Sequence, residues 1–245
     1  MCRQLAYLGP PVSLAALVLD PPHSLLHQSY APADMRGGGT VNADGFGVGW
    51  YTADGPVRHR RDRPLWTDHG FVGLARSVRA GAVFAAVRSA TVGMPVTETA
   101  CAPFADRRFL FGHNGRITNW PDSVGKLAEA LPVTDLLTLD APTDSALLWA
   151  LVRHRLRAGA DPTAAVRDVV ADVAAAAPGS RLNLLLHTGT SIVATTLGHA
   201  LSYLDTAGSL VVASEPSTMD ERWTPVPDNR ILTGTPDRLV MEELC

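Results

Sequence analysis

Hydrophobic and polar residues recur along this chain with two periods, one typical of strands and the other typical of helices. Short apolar or alternating runs, bounded by glycine, proline and asparagine, predict strands. These runs lie at residues 2–7, 46–51, 82–89, 182–187, 191–197, 201–204 and 210–213. The last four are separated only by short turns, which favours an antiparallel meander. A further run, from Phe109 to Ile117, is interpreted as two strand halves joined by a sharp turn at Asn114-Gly115.

Two helices are predicted between the early and the late strands. Thr143 is a candidate N-cap for a run from Leu147 to Arg157 whose apolar residues recur at helical spacing. Asp161-Pro162 places a capping residue before a proline at the start of an Ala/Val helix that ends near Pro178-Gly179. The order of strands, helices and strands predicts an α+β fold in which two antiparallel sheets stack face to face under helices. The sequence contains no convincing linker, so we expect a single domain over residues 2–245.

Composition and charge exclude several classes of protein. The chain has 245 residues, of which 46% are hydrophobic and 18% charged, and its formal net charge is −3 at pH 7. A globally disordered chain is excluded, and the lack of a positive field argues against a nucleic-acid-binding protein. Gly9-Pro10-Pro11 interrupts the N-terminal apolar run, so no secretory signal is expected. No apolar stretch reaches the roughly 18 residues of a membrane span, and we expect a cytoplasmic protein with reduced thiols.

The three cysteines, Cys2, Cys101 and Cys245, do not predict a disulfide framework. Removal of Met1, which a small second residue permits, would leave Cys2 with both a thiol and a free α-amine. The thiolate is a strong nucleophile, and an α-amine with a pKa of about 7.7–8.0 can act as its general base. The alternative is that a cysteine follows Met1 by chance. For Cys101 and Cys245 we expect a buried thiol and a loose terminal one.

Other residues have the chemistry that such a nucleophile needs. Asn114 and Gly115 can offer an amide side chain and a backbone N–H to a developing oxyanion, although a plain hairpin turn explains them equally well. Arg88 ends an apolar strand, where a cation is costly unless an anion pairs with it, so it suits a substrate carboxylate or a structural ion pair. Asp144 begins a helix, where it can bind a substrate ammonium or simply favour the helix dipole.

Some polar residues and loops are given simpler interpretations. His187 and His199 lie in apolar runs and are predicted to be ordinary core or edge residues. The basic run from Arg58 to Arg63 is predicted to be a solvated face. Loop closure over a site is expected near residues 37–39 or 92–104, because these segments have the composition of loops.

Six short motifs occur in order along the chain. They are an N-terminal Cys2, Asn-x-Asp-Gly-x-Gly-x-x-Trp at 42–50, Arg-x-x-Thr at 88–91, Pro-Phe at 103–104, Gly-His-Asn-Gly-x-Ile at 112–117 and Thr-Asp-Ser at 143–145. Together they resemble the glutaminase domain of the class II glutamine amidotransferases, which belong to the N-terminal nucleophile hydrolases. The Ala-Ser-Glu-Pro segment at 213–216 resembles the stand-alone members, so the similarity covers nearly the whole chain.

This resemblance implies a four-layer α/β/β/α sandwich and a reaction centred on Cys2. Cys2 would attack a γ-glutamyl amide carbonyl while its own amine moves the proton, and water would then hydrolyse the thioester and release glutamate. The Asn114 side chain and the Gly115 N–H would form the oxyanion hole. Arg88 would hold the α-carboxylate of the glutamyl group, and Asp144 would hold its α-amino group.

The resemblance also assigns Thr91 and His113 to the substrate-binding residues. It implies no metal and no organic cofactor, and it implies a small γ-glutamyl molecule as the partner, with neither nucleic acid nor membrane involved. One position departs from the family pattern. Many relatives have a histidine directly before Pro-Phe, where this chain has Ala102, and this implies a glutamine pocket that differs in detail.

The length of the chain bears on the fate of the product. At 245 residues we expect no synthase domain in the same chain. Among the stand-alone members, the sequence is most similar to the amidohydrolases of ergothioneine biosynthesis. This similarity implies hydrolysis of γ-glutamyl-hercynylcysteine S-oxide to hercynylcysteine S-oxide. Two alternatives remain, a glutaminase subunit that supplies ammonia to a separate synthase and a non-catalytic module that binds γ-glutamyl groups.

Overall fold

The computed structural model describes residues 2–35 and 41–244. The strands are β1 (Arg3–Ser13), β2 (Phe46–Thr52), β3 (Gly55–Arg61), β4 (Arg79–Val87), β5 (Phe104–Ala105), β6 (Leu110–Arg116), β7 (Arg181–His187), β8 (Ile192–Thr196), β9 (Ser202–Thr206), β10 (Ser209–Ala213), β11 (Thr224–Pro225), β12 (Arg230–Thr235) and β13 (Arg238–Glu243). The α-helices are α1 (Leu14–Val18), α2 (Leu25–Gln28), α3 (His69–Ser77), α4 (Gly125–Glu129), α5 (Val133–Leu137), α6 (Asp144–Arg157) and α7 (Pro162–Ala176). Short 3-10 helices lie at Leu65–Thr67, Glu98–Ala100 and Asp122–Val124. Within the described residues, no helix combines the length and the apolar character needed to cross a membrane.

The strands form two antiparallel sheets that stack face to face. The seven-stranded sheet has the order β11-β9-β10-β1-β4-β2-β3, and the six-stranded sheet has the order β13-β12-β8-β7-β6-β5. Helices α1, α2 and α3 cover the outer face of the first sheet, whereas α6 and α7 cover the outer face of the second. The predicted α+β fold is therefore confirmed, and so is the four-layer α/β/β/α order.

Three apolar cores separate these layers, because successive residues of a strand point to opposite faces. Phe84 and Leu110 are buried in the core between the sheets. Phe111, the next residue along β6, points the other way and stacks on Trp149 of α6 with ring centroids 5.4 Å apart. Each fully buried side chain of this size stabilises the fold by about 1.5–3 kcal/mol relative to exposure. The alternation read from the sequence thus determines which layer each residue joins.

The two predicted helix starts are confirmed by their capping contacts. Thr143 is the N-cap of α6, and its side-chain oxygen accepts a hydrogen bond from the Ala146 N–H over 3.2 Å. Asp161 is the N-cap of α7, with Oδ1 2.9 Å from the Thr163 nitrogen. Both caps satisfy N–H groups that the first turn of a helix leaves unpaired.

The predicted meander of the four late strands is wrong. Strands β7 and β8 pair in the six-stranded sheet, but β9 and β10 lie in the seven-stranded sheet, where β10 pairs with β1. The chain crosses between the sheets at residues 197–201, where Gly198 adopts a φ of +88°. Asn183 holds this crossing, because its Oδ1 accepts hydrogen bonds from the Leu197 and His199 N–H groups. Buried strands of both sheets have the same apolar sequence pattern. Their spacing along the chain therefore did not reveal that it crosses from one sheet to the other.

The predicted turn at Asn114-Gly115 is also wrong. Both residues lie inside the continuous strand β6, where Asn114 pairs with Asn183 and Gly115 pairs with Leu182. A Cβ atom at position 115 would overlap the carbonyl oxygen of Arg181. Glycine is therefore required for the close approach of two strands and not for a reversal of the chain.

Candidate active site

Cys2 lies directly before β1, in the middle of the seven-stranded sheet. The register of β1 with β4, continued by one residue, places Cys2 opposite Arg88 at the end of β4. The register of β1 with β10 ends at the pair Leu5 and Ala213, and continued by three residues it places Cys2 opposite Pro216, which follows β10. The thiol is half-buried and free, and Sγ lies 3.8 Å from the Ser89 carbonyl oxygen. The candidate nucleophile is thus reachable and flanked by two polar loop segments.

A narrow cleft beside Cys2 brings most of the sequence-predicted residues together. Besides Cys2, its lining includes Arg88, Thr91, His113, Gly115 and Asp144. A second cleft shares Cys2, Arg88 and His113 and extends to Ala102 and Phe104. Residues from four separate segments of the chain therefore meet at one thiol.

Asn114 does not belong to the lining of either cleft. It lies on β6 between His113 and Gly115, and the alternation of a strand directs its side chain to the opposite face from His113. The residue is buried, and its Oδ1 has no hydrogen-bond partner among the described residues. A buried polar atom left without a partner is costly. The Asn114 Oδ1 can therefore still accept a hydrogen bond close to the cleft.

Arg88 is a buried cation that has no ion pair with the residues the structure describes. Its Nη1 donates to the Pro95 carbonyl over 2.9 Å, and no carboxylate of the described residues lies within ion-pair distance. Its backbone is fixed from both sides, because its N–H donates to the Gly45 carbonyl and its own carbonyl accepts from the Asp44 N–H. A buried charge is costly unless it is paired, and a guanidinium suits a carboxylate ligand.

Asp144 and His113 join the start of α6 to the end of β6. Asp144 Oδ2 accepts from the Ile117 N–H over 3.1 Å, and Oδ1 accepts from the Ser145 N–H over 2.7 Å. His113 Nε2 donates to the Arg181 carbonyl over 2.9 Å. In the neutral imidazole, Nδ1 is then the acceptor for the Ser145 hydroxyl at 3.0 Å. A carboxylate can accept about four hydrogen bonds, so Asp144 can still accept hydrogen bonds from an ammonium group.

The segment after Arg88 forms the outer wall of the cleft. Thr91 is exposed, and its carbonyl accepts a hydrogen bond from the Met94 N–H over 2.9 Å. Asp44 secures the beginning of the segment, because its Oδ2 accepts from the Ala90 N–H over 2.7 Å. The loop at 92–104 that we expected to close over the site therefore does border it, whereas residues 37–39 lie outside the described residues.

The predicted solvated face at Arg58 to Arg63 is partly wrong. The side chains of Arg58 and Arg60 are only 28% and 10% exposed. Arg58 Nη1 donates to the Pro103 carbonyl over 3.1 Å, and Arg60 Nη1 donates to the Cys101 carbonyl over 3.3 Å. Both guanidinium groups also lie within ion-pair distance of Asp140. These two residues therefore fix the backbone on either side of Ala102.

Cys101 has the properties expected of a structural thiol. It is fully buried, and burial raises its pKa to about 11 although the positive charges of Arg88 and Arg60 act in the opposite direction. A thiol that stays protonated is a poor nucleophile. Cys2 is therefore the better candidate of the two, while Cys245 lies outside the described residues.

Comparison with known proteins identifies the family. A family model for class-II glutamine amidotransferases matches residues 13–207. The chain belongs to this family. It is 42% identical to the gamma-glutamyl-hercynylcysteine sulfoxide hydrolase of Mycolicibacterium smegmatis over 95% of both chains. It is also 41% identical to the hydrolase of the same name from Mycobacterium tuberculosis, over 96% of this chain and 93% of that one.

A solved structure shares the fold of this class II amidotransferase. The structure is that of a glutamine aminotransferase class-II domain protein from Silicibacter pomeroyi, with a TM-score of 0.72 and 24% sequence identity. The match covers 100% of each chain. The two proteins therefore share the same arrangement of two stacked sheets.

Sequence reasoning missed a buried ionic network behind Cys2 of this amidotransferase. Arg3 Nη1 donates to the Cys2 carbonyl over 3.0 Å, while Arg3 Nε pairs with Glu215 Oε1. Glu215 Oε2 also accepts from His23 Nε2 at 2.7 Å and from the Ala33 N–H at 2.8 Å. Burial raises the pKa of Glu215, but the His23 hydrogen bond and the charge of Arg3 outweigh it and hold that pKa below its ordinary value.

Two features of the sequence could have revealed this network. Arg3 stands in an apolar strand run, where a charged side chain needs a buried partner. Glu215 stands in the Ala-Ser-Glu-Pro segment, directly after the apolar run of β10. The two positions are 212 residues apart, so only the pairing of β1 with β10 makes them neighbours.

Proposed function

We propose that this protein hydrolyses the γ-glutamyl amide bond of γ-glutamyl-hercynylcysteine sulfoxide and releases glutamate and hercynylcysteine sulfoxide, a step of ergothioneine biosynthesis. The observation that carries the proposal is the buried Arg88 guanidinium, which has no ion pair among the described residues and lies in the same cleft as the free Cys2 thiol. The identity to the two mycobacterial hydrolases, over more than nine-tenths of each chain, supports the choice of substrate.

The reaction begins with removal of Met1, which frees the α-amine of Cys2. This amine accepts the thiol proton, and the thiolate attacks the γ-carbonyl carbon of the substrate to form a C–S bond. As the tetrahedral intermediate collapses, the amine passes the proton to the leaving nitrogen and the C–N bond breaks. Water then attacks the thioester, the C–S bond breaks, and glutamate leaves with the thiol restored.

The remaining predicted residues contact different parts of the glutamyl group. Arg88 binds the α-carboxylate and Asp144 binds the α-ammonium, so two opposite charges fix the orientation of the amino acid. The Gly115 N–H and the Asn114 carboxamide stabilise the oxyanion, which fits a strand held against Arg181 without a side chain at position 115. Thr91 and His113 line the same cleft.

Substrate binding on this side requires movement of the outer wall. The two clefts around Cys2 have volumes of about 20 Å³ each. That volume holds about one water molecule, which is less than a glutamyl group occupies. We therefore propose that residues 89–100, which include the exposed Thr91 and Val92, open outward for entry and close again on the bound substrate.

The deciding experiment supplies purified protein separately with L-glutamine and with γ-glutamyl-hercynylcysteine sulfoxide and measures released glutamate. The proposal expects a much higher kcat/KM for the conjugate. Faster turnover of glutamine would instead favour a glutaminase that supplies ammonia to a separate synthase. Turnover of neither substrate, by protein whose intact mass proves that Met1 is gone, would favour a non-catalytic binding module.

Two wider proposals accompany this function. Residues 2–245 act as one catalytic domain, since the site draws on segments from Cys2 to Asp144 and its supporting network extends to Glu215. The reaction takes place in the cytoplasm, because a catalytic thiol must stay reduced. Fractionation of the producing cell and limited proteolysis of the purified protein test these two points.

A further inference from the structure

A large cavity lies on the side of Cys2 away from Arg88. Its volume is about 760 Å³, against about 20 Å³ for each cleft on the Arg88 side. His23, His199, Leu201, Glu215, Met219 and Asp228 contribute to its lining. Binding sites for drug-sized molecules have volumes of about 300–1,000 Å³, so this cavity has room for a ligand of that size.

The pairing of β1 places this cavity next to the reacting bond. Cys2 lies opposite Arg88 on one side and opposite Pro216 on the other, and both Glu215 and Pro216 line the cavity. Glu215 is joined to the nucleophile through Arg3, which donates to the Cys2 carbonyl. We therefore expect an amide whose glutamyl part lies beside Arg88 to direct its leaving nitrogen toward the cavity.

His199 in the cavity wall has an unused hydrogen-bonding side chain. Only 3% of the residue is exposed, yet neither Nδ1 nor Nε2 has a partner among the described residues. Its backbone is held independently, because the Asn183 side chain bonds both its N–H and its carbonyl. A buried imidazole without partners is costly, which points to a ligand that supplies them.

The protonation state of His199 determines which hydrogen bonds its ring can form with a ligand. Burial lowers its pKa to about 4, and the positive charges of Arg181 and Arg3 act in the same direction. At neutral pH the ring is therefore uncharged and presents one N–H donor and one acceptor nitrogen. A neutral donor of this kind suits a dipolar acceptor, such as a sulfoxide oxygen.

The wall of the cavity is polar as well as large. Asp34, Glu215 and Asp228 contribute carboxylates to its lining, and the charge of Glu215 is balanced by the buried Arg3. Carboxylate oxygens can accept hydrogen bonds from the N–H groups of a polar ligand. Ammonia, the leaving group of glutamine, would fill almost none of this cavity.

We infer that this cavity binds the leaving group of the substrate, a polar amine much larger than ammonia that offers a hydrogen-bond acceptor to His199. The inference rests on the proposed function and extends it, because it assigns leaving-group selectivity to the β10 side of Cys2. Glutamyl recognition by Arg88 and Asp144 is a separate task on the opposite side.

Two variants test the inference in different ways. His199→Ala removes the unpaired ring, and Met219→Trp fills the cavity from a position that is 91% exposed, where the larger side chain does not disturb the core. For each variant, kcat/KM is measured with γ-glutamyl-hercynylcysteine sulfoxide and with L-glutamine. We expect the ratio of the two values to fall about tenfold or more, since one lost hydrogen bond to a buried group is of that order.

Matched controls separate the cavity from the surface at large. His69→Ala removes an exposed histidine at the start of α3, and Leu137→Trp enlarges an exposed side chain on α5. Both controls should keep the wild-type ratio. Failure of the wild-type protein to hydrolyse the conjugate would remove the proposed function and this inference with it. Hydrolysis of the conjugate with an unchanged ratio in both cavity variants would overturn the inference alone.

Discussion

Arg3 and Glu215 form an ion pair in which only 2% and 4% of the two side chains are exposed. The pair joins β1 to the segment after β10 directly behind Cys2, and Arg3 also holds the Cys2 carbonyl. Removal of one partner from a buried pair leaves an uncompensated charge in the interior, which costs more than the intact pair contributes. The position of Cys2 and the stability of the sheet thus depend on the same contact.

Glu215→Ala should therefore destabilise the protein by about 3–5 kcal/mol and lower kcat. Unfolding in urea measures the first effect, and hydrolysis of the conjugate at a temperature where the variant is folded measures the second. Asp220→Ala is the control, because Asp220 pairs with Arg222 at the surface and its loss should leave the unfolding midpoint unchanged. Equal midpoints for the two variants would contradict the role given to Glu215.

Cys2→Ala should abolish hydrolysis and leave a folded protein that still binds the conjugate, because only the nucleophilic sulfur is removed. Circular dichroism checks the fold, and titration calorimetry checks binding. Cys101→Ala is the matched control and should retain turnover, since that thiol is buried with a pKa of about 11. Turnover near the wild-type rate in Cys2→Ala would remove Cys2 from the mechanism.

Arg88→Ala should mainly weaken substrate binding, by about 2–5 kcal/mol, because it deletes the cation that we propose binds the glutamyl carboxylate. The change should raise KM more than it lowers kcat, for the conjugate and for glutamine alike. Arg76→Ala removes an arginine that is 63% exposed on α3 and should change neither constant. An unchanged KM in Arg88→Ala would assign that carboxylate to another residue.

Gly115→Ala should lower kcat by about 10²–10³, because the new methyl group overlaps the Arg181 carbonyl and displaces the oxyanion donor. Crowding of this kind also costs about 1–3 kcal/mol of stability, which unfolding in urea measures. Gly125→Ala is the matched control, because a Cβ there meets no atom within 4 Å. Full activity in Gly115→Ala would show that the strand can shift without loss of the oxyanion site.

His187 should make the protein less stable in acid. Burial lowers its pKa to about 4, while Nε2 donates to the Tyr7 carbonyl and Nδ1 accepts from the Gly189 N–H. Protonation would place a second N–H against that of Gly189. In the unfolded chain this histidine binds a proton below its ordinary pKa of about 6.5, whereas in the folded protein it stays neutral down to about pH 4. The free energy of unfolding therefore falls as the pH is lowered from 6.5 to about 4.

The size of this effect is on the order of 3 kcal/mol, from the difference between the two pKa values. Urea unfolding across that pH range measures it, and His199 adds a similar dependence because its pKa is lowered in the same direction. His187→Gln should remove only the His187 contribution, whereas His69→Gln at the surface should leave the profile as it is. A His187→Gln profile identical to that of the wild type would rule out this histidine as a source of the acid instability.

The sequence alone determined the features that depend on neighbours along the chain. Thr143 and Asp161 cap their helices through N–H groups only two or three residues away, so both helix starts could be predicted. Apolar runs located the central strands, because burial of alternate side chains is visible in the residue pattern. The ordered motifs also predicted the family, which the comparisons confirm, and with it Cys2 and the other candidate site residues.

Only the tertiary structure decided which distant segments became neighbours. Asn114-Gly115 has the local preference of a turn, but hydrogen bonds to β7 and the close approach of Arg181 keep it in a strand. Arg3 and Glu215 meet because β1 pairs with β10, and the His199 ring is buried where the described part of the chain offers it no hydrogen-bond partner. Each of these contacts depends on strand pairing between residues far apart in the sequence, and no local pattern specifies which strands will pair.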